Sequence, residues 1–273
     1  MLSAVGFSFA RSCHQDVGVS SASARSDLPR PSAAAIAALA PTGALRAAIN
    51  LSNFLLVTGK GDDGNPEGVS PDMAKTLAAQ LGVGIELLKF KTPGELADAA
   101  TEGIWDIGNI GAEPKRAEHI AFTAAYCEIV CTYIVPADSD ITSIDQVDQP
   151  GRRIASAARA AYDLWLERNI TKAELVQVAG LDGSFDAFVE QKLDALAGLL
   201  PRLLTDVERV PGARILEGQF TTVQQAIGTP RDRDTAGAEY LADFVEAAKS
   251  AGLVADFIES HQVSGLSVAP AAS

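Results

Sequence analysis

The residues of this 273-residue chain best suited to chemistry lie between Gly103 and Tyr126, in GIWDIGNIGAEPKRAEHIAFTAAY. A short apolar strand is predicted to run into small residues and then into Glu113, Pro114 and Lys115, where a helix would begin. Such a start leaves backbone N–H groups without intrahelical partners, and these favour an anion. Arg116 stands beside it, and a planar guanidinium can grip a carboxylate through two parallel hydrogen bonds. The chemistry predicted is therefore capture of an acid without covalent bonding. No G-x-S-x-G, metal-ligand spacing or phosphate loop occurs. His14, His119 and His261 are scattered and form no catalytic pair, so neither catalytic residues, metal nor cofactor are expected.

This pattern resembles the first-lobe ligand motif of the bacterial extracellular solute-binding proteins of family 3, the polar amino-acid type within the type-2 periplasmic-binding-protein superfamily. Those proteins have an Asp closing a strand, a small-residue turn, a Pro-x-Arg helix start and a Phe-Thr/Ser…Tyr strand. Here the matching residues are Asp106, Asn109 to Gly111, Pro114 to Arg116, Phe122, Thr123 and Tyr126. The resemblance extends from about Leu45 to about Phe257.

It implies that Arg116 pairs with a ligand carboxylate while Asn109, Ile110 and Gly111, on to Ala112, supply backbone and amide donors. Asn50, Asn53 and Phe54 follow the first strand, where family members place an acid and a covering aromatic; turn formation is the plainer reading of both Asn residues. Arg159, Ala160 and Ala161 fall on a turn that usually carries hydroxyls, which makes Arg159 a candidate second cation in the cleft. Amino-acid binders end a later strand in an Asp that neutralises the ligand ammonium, and here Leu199 or Leu200 stands in its place. An ammonium buried without that partner is costly, so an organic acid suits the site better than an ordinary α-amino acid. Trp105, Tyr162 and Trp165 are read as core aromatics that would line the cleft only secondarily.

The elements that must position these residues follow from periodicity. Ala44 to Leu51 reads as a strand. Ser70 to Leu81, with Met73, Leu77 and Leu81 on one face, reads as a helix ended by Gly82, and Val83 to Phe90 as a second strand. Pro93 to Glu102 gives another helix. This alternation implies parallel pairing with flanking helices. A second strand–helix series begins at Gly151 and runs through Leu175 to Val178, Ser184 to Gln191 and Asp194 to Leu199. Thr221 to Pro230 then leaves it, and closing helices follow at Ala238 to Lys249 and Val254 to Ser260. The expected fold is α/β and two-lobed, of the type-2 periplasmic-binding-protein kind, each lobe a mixed, mainly parallel sheet with flanking helices, joined by two crossover strands. The expected division is a weakly ordered tail over 1–40, lobe 1 over 41–135 plus 228–273, and lobe 2 over 136–227, with the ligand between the lobes.

A net charge of −13 and a pI near 4.6 argue against nucleic acid as a partner. No window approaches the roughly 18 apolar residues that cross a bilayer. Cys127 and Cys131, four residues apart on a strand, would be about 13 Å from each other and unable to bridge. The first ten residues are mildly apolar but are interrupted at Arg11 to Gln15, so no convincing export signal is read. The resemblance nonetheless implies the periplasm, and a shifted start or a cytoplasmic member stays open. By function the chain is expected to be the monomeric receptor of an ABC-type importer, binding a small carboxylate and docking on a membrane permease. The alternatives are a cyclohexadienyl-dehydratase-like enzyme using Glu113, whose pKa a helix N-terminus would lower, and a stand-alone cytoplasmic sensor.

Overall fold

The computed structural model describes residues 27–272. The reading of the extreme N-terminus, with Cys13 and His14, lies outside the described residues. Of the tail reckoned over 1–40, residues 27–40 pack on the first lobe. There Ser32 caps α1 (Ala33–Leu39) by accepting from the Ala35 N–H, and Tyr240 donates to the Pro29 carbonyl. Leu28, Ala35 and Leu39 are buried in the main core, and that burial fixes the segment.

β1 (Ala44–Asn50) leads through a small hairpin, β2 (Gly59–Lys60) and β3 (Pro66–Glu67), to α2 (Val69–Leu81) and β4 (Gly84–Phe90). Met73, Leu77 and Leu81 are buried on α2 as their spacing predicts, and Gly82 ends the helix in the left-handed conformation. Then come α3 (Pro93–Asp98), β5 (Ile107–Gly111), a single turn of helix α4 (Pro114–Ala117), and the 16-residue strand β6 (Ile120–Val135). The second lobe follows as β7 (Arg153–Ala157), α5 (Ala161–Asn169), β8 (Glu174–Val178), α6 (Gly180–Glu190), β9 (Ala195–Leu199), α7 (Leu200–Val207) and β10 (Arg214–Ile215). β11 (Thr221–Pro230) returns, and α8 (Thr235–Ser250), α9 (Leu253–Ser260) and β12 (Ser267–Val268) close the chain.

The strand order is β4-β1-β5-β11-β6-β9-β7-β8. Pairing is parallel within β4-β1-β5 and within β9-β7-β8, and antiparallel where β11 meets β5 and β6 and where β6 meets β9. The two crossover strands β6 and β11 thus stay hydrogen-bonded to each other from Ile120 to Cys131, with two register shifts around Ala226. Cys127 and Cys131 on β6 are buried free thiols.

One device recurs in both lobes. Asp106, just before β5, accepts from the Arg46 backbone N–H on β1 at 3.0 Å and returns its own N–H to the Arg46 carbonyl at 2.8 Å. Asp194, just before β9, does the same with Arg153 on β7, at 2.8 Å and 3.0 Å. Each carboxylate also holds guanidinium groups: Asp106 those of Arg46 and Arg233, Asp194 that of Arg152. These Asp residues lock the register of the two parallel segments of the sheet and so place the strand ends that carry the site.

Candidate functional site in the cleft between the lobes

β5 ends at Gly111 and α5 enters from the other lobe at Ala161. They approach so closely that a methyl group on Gly111 would meet Ala161 Cβ at 2.7 Å and Val223 Cγ1 at 2.9 Å. Only glycine permits that contact. Gly111→Ala should therefore wedge the lobes apart and lower solute affinity about tenfold or more, consistent with an overpacking cost of roughly 1–3 kcal/mol. Calorimetric titration alongside small-angle scattering checks this, the scattering showing a more open shape.

Beside the contact lies a cavity of about 100 Å³. A pocket of roughly 150 Å³ in a protein interior holds a benzene-sized molecule, so this one suits a small solute. Lobe 1 contributes the loop after β1, the start of α3, Gly111 and Arg116; lobe 2 contributes the starts of α5 and α6 and the end of β9; Val223 and Gln225 come from β11.

Arg116 is 5% exposed. Its Nη1 donates to the Gly111 carbonyl at 2.7 Å and its Nη2 crosses the cleft to the Arg159 carbonyl at 2.9 Å. Among the described residues no carboxylate forms an ion pair with it. Burial pulls its pKa down to about 10, with nearby Glu113 opposing the fall and Arg159 adding to it. It is thus a cation at neutral pH whose charge is incompletely offset, a state that an incoming anion would relieve.

The backbone donors expected beside Arg116 are placed differently from the sequence reading. α4 is four residues long and carries little dipole. Three helices of lobe 2 start at the cavity instead. Their N-cap residues Ala160, Ala179 and Leu199 supply no side-chain cap, and Ala160, Ala161, Gly180, Leu181 and Leu199 line the wall. First-turn N–H groups have no intrahelical acceptor, so lobe 2 presents donors here.

The other candidates divide. Asn50 and Asn53 line the cavity, but their carbonyl oxygens are held in turns: Asn50 Oδ1 accepts from the Ser52 N–H and hydroxyl, and Asn53 Oδ1 from the Leu55 N–H. Asn109 lies beneath α2, donating from Nδ2 to the Ser70 carbonyl at 3.0 Å. Ile110 packs in an apolar cluster with Leu96, Trp105 and Ile120. Phe54, 39% exposed, stands in an adjoining groove with Arg202 and Arg209. The Arg159 guanidinium does not line the cavity; it forms an ion pair across the cleft with Asp98, at 2.6 and 3.0 Å. That contact holds the Asp98 carboxyl below its usual range, yet both side chains are more than half exposed, so the pair is worth at most about 1 kcal/mol. Of the aromatics, Tyr162 lines the cavity, whereas Trp105 is core and Trp165 stacks near Phe220.

Two carboxylates matter in ways the sequence reading missed or misjudged. Arg159 adopts a left-handed backbone, φ 63°, stabilised by the buried Asp163, which accepts from the Arg159 N–H at 2.7 Å, from the Ser156 hydroxyl and from Gln177 Nε2. The available signal was an acid at the third position of α5 reaching back to the turn, as in a capping box. Glu113 bridges the lobes to Arg168 at 2.6 Å. Its carboxyl is raised, because burial outweighs the pull of Arg168 and Arg116; the lowering expected from a helix start fails because that helix is one turn long. Glu113 does not line the cavity.

No helix among the described residues is long and apolar enough to cross a membrane, and none of their His, Cys, Asp and Glu side chains cluster as a metal site. A search of curated proteins finds no match. Solved structures with the same fold include an ancestral amino-acid-binding protein described as a precursor of cyclohexadienyl dehydratase, with TM-score 0.66 and 19% identity over 84% of this chain and 99% of that one. Another is a binding component of an ABC transporter from Wolinella succinogenes complexed with lysine, with TM-score 0.66 and 17% identity over 80% and 95%. A third is the amino-acid ABC transporter substrate-binding protein AbpA from Streptococcus pneumoniae bound to L-arginine, with TM-score 0.65 and 18% identity over 82% and 96%. Identities this low establish the shared two-lobed fold. The family itself is established by a sequence model that matches residues 53–261: the chain belongs to the bacterial extracellular solute-binding proteins, family 3.

Proposed function

We propose that this protein is the solute receptor of an ABC-type importer, working in the periplasm as a monomer. It closes lobe 1 (41–135 with 228–273) and lobe 2 (136–227) on a small carboxylate-bearing solute, an amino acid or organic acid, and delivers it to a membrane permease. The observation that supports this reading is Arg116, a buried cation without an anion, set at a cavity between two lobes and tied to both. A solute carboxylate would supply the missing charge and add contacts on each side, so binding and closure reinforce each other. The cross-lobe contacts already present are few, and the exposed Arg159–Asp98 pair is weak, which leaves the cleft free to reopen.

Thermal denaturation against a panel of amino acids, monocarboxylates, dicarboxylates and neutral analogues tests the reading. A bound acid at roughly 100 times its Kd should stabilise the fold by about 2.7 kcal/mol, while analogues lacking the carboxylate should give no shift. A panel with no responding acid would refute it. A second reading, a cyclohexadienyl-dehydratase-like lyase, draws on the raised carboxyl of Glu113; turnover of prephenate or arogenate by the purified protein would favour it.

A further inference from the structure

We infer that the solute carries a hydrogen-bond acceptor where an amino acid carries its ammonium, and that the site is built for a short 2-oxo acid. The inference rests on the receptor reading above and narrows its ligand. Its ground is an imbalance of polarity in the cavity wall.

No acidic side chain lines the cavity. Carboxylates of the surrounding elements are committed elsewhere: Asp163 to the Arg159 turn, Glu113 to Arg168, Asp98 to Arg159 and Asp182 to Arg202. An α-ammonium group enclosed here would meet Arg116, a like charge, and would have no anion to neutralise it.

Donors, by contrast, are in excess. The carbonyl ends of Asn50 and Asn53 are consumed in local turns, while their amide NH2 groups make no hydrogen bond among the described residues. Three helix starts bring first-turn N–H groups without side-chain caps. Gln225 is 4% exposed and lines the cavity, its side chain makes no hydrogen bond, and its Oε1 is buried without a partner. Its amide carries both an NH2 donor and a carbonyl acceptor, so it is compatible with a solute oxygen without adding to the excess of donors.

A 2-oxo acid matches this wall. It offers a carboxylate to Arg116 and a carbonyl oxygen to the amide and helix donors, and it has no donor of its own in need of an acceptor. Its alkyl part would lie on Leu181, Leu199 and Val223, which form the apolar wall. Leu199 is then the specificity-determining position, because it ends β9 at the cavity wall, where an acidic side chain would face the enclosed solute.

Isothermal titration of three matched pairs tests this: pyruvate with L-alanine, 2-oxoisovalerate with L-valine, and 2-oxoisocaproate with L-leucine. Within each pair the size is nearly constant and the α-substituent changes. The expected result is that the 2-oxo acid of at least one pair binds at least tenfold more tightly than its amino acid. Leu199→Asp, which also gives α7 a favourable N-cap, is expected to reverse that order, its folding checked by circular dichroism and compared with the isosteric Leu199→Asn. Tighter binding of the amino acids by the unmodified protein would overturn the inference and leave the receptor reading standing. Failure of every acid in this set and in the wider carboxylate panel would overturn both. An unchanged preference in the folded Leu199→Asp protein would overturn the charge argument at that position.

Discussion

Arg116→Ala should lower affinity for a carboxylate solute at least a hundredfold. Removing one member of a buried, hydrogen-bonded charge pair costs about 2–5 kcal/mol, and tenfold in Kd corresponds to about 1.4 kcal/mol. The same change should move the melting temperature of the solute-free protein far less, because two effects oppose each other. The Gly111 and Arg159 carbonyls lose charged donors at 2.7 and 2.9 Å, but an incompletely offset buried cation is also removed, one whose pKa burial pulls to about 10. Arg116→Lys keeps the charge but loses the planar fork that serves both carbonyls and a carboxylate together, so its affinity should fall between the two. Titration calorimetry and thermal melts on the same preparations measure both quantities. Solute binding that survives Arg116→Ala intact would exclude this residue as the anchor.

The largest effect on stability is expected at Asp106. Its carboxylate is fully buried and receives Arg46 Nη2 at 2.7 Å, Arg46 Nε at 3.0 Å, Arg233 Nη2 at 2.9 Å and the Arg46 backbone N–H at 3.0 Å. Alanine there would leave two guanidinium groups facing each other without an anion and one backbone donor unsatisfied. Breaking a buried pair in this way costs roughly 3–5 kcal/mol. Asp194→Ala is the internal comparison. That carboxylate makes the equivalent backbone bond, but its partner Arg152 and its own side chain are about a quarter exposed, so water takes over part of the lost interaction and the cost should be smaller. Urea denaturation measures both as a fall in midpoint at constant slope. Equal losses at the two positions would mean that the backbone bond alone carries the effect.

What could be read from the sequence was local. The spacing of Met73, Leu77 and Leu81 gave α2, and the alternation of strand and helix patterns gave two parallel α/β units, because burial of one face writes its period into nearby residues. α7 was missed, since the apolar run of Ala195 to Leu200 passes from the strand into the helix without a break, although Pro201 in the first turn marks the change. The extent of β6 was also hidden: through Tyr126 to Val135 nearly every side chain is buried, so no alternation announces where the strand passes from one lobe to the other.

The site was legible where its chemistry sits in one segment. Arg116 and Gly111, singled out from their immediate neighbours, do line the cavity, and of the two leucines left open at the end of the later strand it is Leu199 that lines it. Arg159 shows the limit. Its partner Asp98 is 61 positions away, and nothing near Arg159 says that the guanidinium turns out of the cavity toward it. The cluster of helix starts has the same character, since each is an unremarkable Ala or Leu cap in sequence and their convergence exists only after the sheet has formed.

The ladder shared by β6 and β11 also governs how the molecule is made. Gln224 Nε2 reaches Glu128 across 96 positions of chain, so on the ribosome the first crossing strand emerges long before the strand that completes its pairing. Until residue 230 has left the exit tunnel, the nascent first half has an open edge between β5 and β6, a template for illegitimate strand exchange. Holding the polypeptide unfolded until synthesis ends, or shielding that edge meanwhile, would thus favour correct pairing.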